Sequence, residues 1–111
     1  MSNRKTLREV CEMYRVTRRA IQGYEKAGLV LPSGKNKYGY LLYDEEAQRR
    51  IEQIKLYQQL GFSIREISEL ITAPKEKVRE ALEKQILCLE EEKKRKEELI
   101  RKAYEILKKL G

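Results

Sequence analysis

The chain has 111 residues, 39% charged and 41% hydrophobic, with 25 Lys+Arg against 18 Asp+Glu and a formal net charge of +7. That describes one small basic folded unit rather than a disordered chain. With no His it lacks the commonest general base and the commonest metal ligand, and no run of about 18 apolar residues offers a membrane span.

Thr6-x-x-Glu9 is a capping box that opens a first helix, on which Leu7, Val10, Cys11 and Tyr14 share one apolar face. Arg15-Val16 is read as a tight turn. Thr17 caps a second helix that runs to about Ala27, where Gly28 supplies a left-handed stop. Two short helices separated by a few residues, the second with Arg18 and Arg19 in its first turn, have the arithmetic of a helix-turn-helix.

Segment 29–43 predicts a β-hairpin. Leu29-Val30-Leu31 and Tyr40-Leu41-Leu42-Tyr43 are the β-prone runs, and Pro32, Ser33, Gly34, Asn36 and Gly39 between them are turn formers. Its loop holds Lys35 and Lys37 with no acid, which makes it a wing. Asp44 caps a third helix over about 45–60, stopped by Gly61, with Ala47, Ile51, Ile54 and Leu60 facing inward. Ser63-x-x-Glu66 opens a short fourth helix carrying Ile64, Ile67, Leu70 and Ile71, which Pro74 ends. This pair is expected to pack behind the first.

From Lys75 to Leu110 there is neither Pro nor Gly, so a single helix of about 54 Å is predicted. Val78, Leu82, Leu89, Leu99, Ala103, Ile106 and Leu110 follow a heptad with gaps, flanked by Ile86, Ile100 and Leu107. The middle, Glu90 to Glu98, is charged throughout. Burying one Leu is worth about 1.5–3 kcal/mol, so two exposed apolar patches at 78–89 and 99–110 call for a partner helix, most simply from a second copy. The alternatives are that the rod folds back on its own body or that the chain is a piece of a longer one. The division is therefore 1–74 for the head and 75–111 for the dimerisation helix.

Charge is unevenly spread. Residues 1–43 hold nine Lys/Arg and three Asp/Glu, residues 44–74 four and six, and residues 75–111 twelve and nine. The excess on the first segment is the footprint of a polyanion binder, although plain solubility would also produce it. The acids of the third helix argue against a DNA contact there.

Residues 5–72 resemble the DNA-binding domain of the MerR family of bacterial transcription regulators. The stretches that carry the likeness are Thr6-Leu7-Arg8-Glu9-Val10-Cys11, the run from Val16 to Val30 that includes Tyr24-Glu25-Lys26-Ala27-Gly28-Leu29-Val30, Tyr38-Gly39-Tyr40-x-x-Tyr43, and Leu60-Gly61-Phe62-Ser63-Ile64-Arg65-Glu66-Ile67. The resemblance covers about two-thirds of the chain, and the terminal rod matches the family's dimerising helix in place and length. It implies a mainly α fold: a winged helix-turn-helix domain followed by a long antiparallel coiled-coil dimerisation helix. It implies a homodimer on double-stranded DNA, with recognition helices in successive major grooves, wings on the flanking backbone, and promoter distortion that lets RNA polymerase engage. The chain reads as a short member with no effector-binding domain. It departs from the family at Gln22-Gly23, where Arg-Tyr is usual, and at Leu41, where Arg is usual after Gly-Tyr.

The expected DNA-binding residues are thus Thr17, Arg18, Arg19, Gln22, Tyr24, Lys35, Lys37 and Tyr40. Arginine forks suit guanine or phosphate, and Gln22 suits adenine or phosphate. The lysines suit phosphates. Tyr24 and Tyr40 can donate a hydroxyl to phosphate, though Tyr24 reads equally well as a core residue. The expected dimerisation residues are Val78, Leu82, Ile86, Leu89, Leu99, Ala103, Ile106 and Leu110.

No catalytic residues, cofactor or metal site are expected: no Gly-rich phosphate loop or activated nucleophile is recognisable. Cys11 reads as core, and Cys88, beside the seam, lacks further ligands for a metal. Met1–Thr6 lead into a polar helix rather than an apolar signal core, and two distant cysteines suit a reducing cytoplasm. Two rival readings keep the same residues in other roles: an architectural or recombination accessory DNA-binding protein, and a coiled-coil protein-interaction module whose basic face is incidental.

Overall fold

The structure, a computed structural model, describes residues 3–111. In chain order the elements are β1 (Lys5–Thr6), α1 (Leu7–Tyr14), α2 (Arg18–Lys26), β2 (Gly34–Lys35), β3 (Leu41–Tyr43), α3 (Glu45–Leu60), α4 (Ile64–Ile71) and α5 (Lys75–Leu110). They form two compact units, the first ending at Thr72 and the second spanning Ala73–Gly111.

In the first unit the helix starts are set by side chains that satisfy otherwise orphaned backbone N–H groups. Thr6 Oγ1 accepts from the Glu9 N–H at 3.3 Å while Glu9 Oε1 accepts from the Thr6 N–H at 2.9 Å. Ser63 and Glu66 repeat this reciprocal pair at α4, and Asp44 caps α3 through the Ala47 N–H. Gly61, at φ 110°, closes α3 in the left-handed region that glycine enters at little cost. Arg15 takes that conformation at the end of α1, at φ 54°, and so reverses the chain within three residues before α2.

Apolar faces then meet. Val10 of α1, Ile21 and Tyr24 of α2, Val30, Tyr43 of β3, Ile51 and Ile54 of α3 and Ile67 of α4 are all buried. Gln48 is the one buried polar residue among the described residues, and both ends of its amide are engaged. It donates to the carbonyls of Asn3 (2.8 Å) and Tyr43 (2.9 Å), and accepts from the Tyr14 hydroxyl at 3.3 Å. A buried amide without those partners would cost about 1–3 kcal/mol; with them it joins α1, β3 and the N-terminal segment.

The sheet differs from the expected hairpin. Its order is β1-β3-β2, all antiparallel, with Lys5 opposite Tyr43 and Lys35 opposite Leu41. The run Leu29–Leu31 is not a strand. Val30 is drawn into the core while Leu31 is exposed, and Pro32 has no N–H to give to a ladder. Pairing begins only beyond it, where the Ser33 N–H donates to the Leu42 carbonyl at 2.7 Å. The two-residue β1 is too short to leave a period in the sequence.

The second unit is a single 36-residue helix, α5, in which no residue is buried. Ile86, Leu99, Ile106 and Leu110 are exposed aliphatic side chains. Ala103 is exposed too, and Val78, Leu82 and Leu89 are half-covered.

Candidate nucleic-acid interface

Helix α2 has two chemically distinct sides. Ile21 and Tyr24 go into the core, and Arg18, Arg19, Gln22, Gly23 and Lys26 form the opposite, exposed side. Thr17 starts the helix by accepting from the Ala20 N–H at 3.0 Å, which leaves its hydroxyl proton free to donate. A Cβ added at Gly23 would meet nothing within 4 Å, so no packing inside the protein requires glycine there.

Two buried tyrosines set the attitude of this helix. The Tyr24 hydroxyl donates to Gln58 Oε1 at 2.6 Å and ties α2 to α3. The Tyr43 hydroxyl donates to Glu25 and ties α2 to the wing strand β3. Burial raises both phenol pKa values, and for Tyr43 the Glu25 carboxylate raises it further, so both remain protonated donors. Of the two roles the sequence left open for Tyr24, the structure gives it the core one: it is 2% exposed with its hydroxyl engaged, and it holds α2 against α3.

The wing is held by one side chain. Asn36 Oδ1 accepts from the N–H groups of Tyr38 (2.9 Å) and Tyr40 (3.0 Å), while the Asn36 N–H donates to the Tyr40 carbonyl at 2.9 Å. This Asx-type closure displays Lys35, Lys37, Tyr38 and Tyr40 on the surface. Tyr38 and Tyr40 are 70% and 64% exposed. The Lys37 ammonium lies 5.1 Å from the centre of the Tyr38 ring, within cation–π range, and the two tyrosine rings are 6.5 Å apart.

A cleft of about 500 Å³ joins these parts, lined by Thr6, Leu7, Arg8, Arg18, Gly39, Tyr40 and Leu41. It brings the first turn of α1, the first turn of α2 and the wing onto one concave surface. Thr17, Arg18, Arg19, Gln22, Lys35, Lys37 and Tyr40 are all exposed. Arg8 and Tyr38 were not among the expected contacts. Arg8 was recoverable from the capping box, which puts it in the first helical turn, and Tyr38 from its place beside Lys37.

The acids of this region are all engaged. Thr6 bonds hold the Glu9 carboxyl below its ordinary pKa, Glu12 meets Arg8 at 3.3 Å, and Glu25 serves Tyr43. The exposed ion pair Arg8–Glu12 is weak, which leaves Arg8 ready to exchange Glu12 for a phosphate.

A helix-turn-helix with a cationic second helix, backed by a basic wing, defines a winged helix-turn-helix domain of the DNA-binding class. Comparison with known proteins refines this. Residues 5–73 match the family described as MerR HTH family regulatory protein, and residues 48–102 match MerR, DNA binding. The chain belongs to the MerR family.

It is 31% identical over 94 residues to the HTH-type transcriptional activator mta of Bacillus subtilis, covering 85% of this chain and 37% of that protein. A MerR-family transcriptional regulator from Bacillus cereus superposes with a TM-score of 0.78 at 28% identity, covering 96% of this chain and 81% of that one. In fold alone it also matches HiNmlR, a MerR-family regulator lacking the sensor domain that was solved bound to promoter DNA (TM-score 0.64, 20% identity, 83% and 76% coverage). The chain thus spans about a third of the length of that relative, mta.

Proposed function

We propose that the chain is a sequence-specific double-stranded DNA-binding regulator of transcription that acts as a homodimer. The observation that carries this reading is the exposed Arg18, Arg19, Gln22 and Lys26 side of α2, held beside a wing that presents Lys35 and Lys37. An α-helix fits the major groove, where arginine forks match guanine O6/N7 and glutamine matches adenine. Arg18, Arg19 and Gln22 sit in the first half of α2 and take that role. Lys35, Lys37, Tyr40 and Arg8 bind backbone phosphates, which sets the register on the duplex without reading sequence.

Two copies are needed because one short helix reads too few bases for specificity. The unburied apolar residues of α5 supply the means: Val78, Leu82, Ile86, Leu89, Leu99, Ala103, Ile106 and Leu110 meet a second chain. Support for the transcriptional role comes from the family. Its matched member mta is by name an activator, and HiNmlR was solved on promoter DNA. By the same reading the site is the cytoplasmic chromosome, the promoter is distorted in the complex, and RNA polymerase is the machine that responds. No catalytic step, cofactor or metal enters.

Selection of bound fragments from the host genome, followed by footprinting, tests this. Protection of a two-fold-related site between promoter elements is the expected result. Protection confined to recombination attachment sites would favour an architectural role, and no retention of duplex DNA at low salt would overturn the proposal.

A further inference from the structure

Helix α5 carries a continuous seam at alternating steps of four and three residues: Val78, Leu82, Gln85, Leu89, Glu92, Lys96, Leu99, Ala103, Ile106 and Leu110. Seven of these are apolar. The two charged members, Glu92 and Lys96, fall in the middle and are both exposed. An apolar seam alone does not fix direction: two copies laid parallel and in register would match it as well as two laid antiparallel.

The charges remove that ambiguity. We propose that Glu92 and Lys96 form the layer that fixes the antiparallel direction and the register of self-pairing. This rests on the dimeric reading above and specifies its geometry.

In an antiparallel pair with Lys94 at the two-fold axis, each seam residue finds a fitting partner. Val78 faces the partner's Leu110, Leu82 faces the partner's Ile106, and Leu89 faces the partner's Leu99. The longer Gln85 lies against the partner's small Ala103. Glu92 faces the partner's Lys96, and symmetry repeats that ion pair on the other side of the axis. In the flanking row Ile86 lies near the partner's Ile100, and Lys93 lies near its own copy at the axis.

Other arrangements lose this match. In the parallel pair Glu92 would face its own copy and Lys96 its own copy, two like-charge layers in the middle of the seam. Sliding the antiparallel pair by one heptad in one direction sets Leu89 against the partner's Glu92; sliding it in the other sets Lys96 against the partner's Leu99. Each buries a charge beside an aliphatic side chain with no counter-ion. A polar residue at a seam position is a known means of setting register at some loss of stability. Here the partner it fits is a second copy of this chain.

The test is a charge-swap series on the full chain, read by sedimentation equilibrium. Both positions are exposed on a single helix, so folding of each chain, checked by circular dichroism, should be unaffected. E92K and K96E should each weaken dimerisation by about 100-fold, since every dimer then holds two like-charge layers. The double variant E92K/K96E should return to the wild-type value, as should an equimolar mixture of the two single variants.

Direction is read separately in a Cys88→Ser background. Leu89→Cys mixed with Leu99→Cys should give the 89–99 disulfide, identified by peptide mass, and Leu89→Cys alone should give no 89–89 disulfide. Single swaps that leave a dimeric wild type unaltered, a double swap no better than the singles, or an 89–89 disulfide would overturn the register while leaving the dimer intact. A monomeric wild type would overturn the dimeric reading itself.

Discussion

The two units of this chain solve different problems with similar amounts of charge. The head, through Thr72, closes its own core: eleven apolar side chains are buried among its described residues, and Glu9, Glu25, Asp44 and Glu66 serve caps and anchors while Arg18, Arg19, Lys35 and Lys37 stay outward. The rod buries nothing within the chain, alternates both signs, and leaves its aliphatic residues facing out. Self-sufficiency in one unit and unburied aliphatic residues in the other are what the proposed division of labour requires: a head that contacts DNA and a rod that supplies a second head.

The largest effect should come from breaking the rod. Leu82→Asp with Leu89→Asp places two carboxylates in each seam, and light scattering should then find monomers whose specific DNA binding is lost. A persistent dimer would mean that the seam lies elsewhere on α5. Circular dichroism should report an intact head, since neither residue belongs to its core.

Replacing Arg18 or Arg19 by Gln should leave the dimer alone and weaken specific binding by about 1–3 kcal/mol for each base contact removed. Replacing Lys35 or Lys37 should weaken binding to all sequences alike and reduce the salt dependence. Gel shifts on the selected site and on a scrambled duplex separate the two classes. Equal loss on both duplexes for the arginine variants would reassign them to phosphate.

Gly23 sharpens the comparison within the head. Open space around it means that Gly23→Ala should raise stability by about 1 kcal/mol, seen in chemical denaturation. If DNA approaches the helix closely at this point, the same variant should bind its site less tightly despite being more stable. Unchanged affinity would confine Gly23 to an unexplained local cost.

The smallest effect concerns the caps. Glu9 and Glu66 are held below their ordinary value of 4.5, chiefly by accepting from the Thr6 and Ser63 N–H groups. A lowered folded-state pKa contributes stability that is complete above 4.5 and is lost as pH falls through the folded value. Melting temperature should therefore drop on acidification below 4.5, and the drop should be shallower in Glu9→Gln/Glu66→Gln, whose amides cap at every pH. An identical acid profile in the variant would show that the caps do not titrate in this way.

What could be read in the sequence follows from the range of the interactions. Thr6/Glu9, Thr17, Asp44, Ser63/Glu66 and Gly61 act on backbone within four residues, so the helix ends were legible, as was the unbroken length of α5. Leu29–Leu31 was misread because its β-prone composition says nothing about Val30 being needed in the core, and β1 exists only because β3 is there to pair with it. Tyr24 and Tyr40 look alike in sequence; only the distant Gln58 takes one hydroxyl inward. The layer proposed for Glu92 and Lys96 has no counterpart within one chain; it is a relation between two.

The most direct test is a titration of one duplex carrying the selected site, followed by fluorescence anisotropy from low to high salt. Binding should saturate at two chains per site, with log affinity falling linearly against log salt at a slope of about −0.9 per neutralised phosphate. Saturation at one chain, or an affinity indifferent to salt, would contradict a pair of cationic heads joined by the rod.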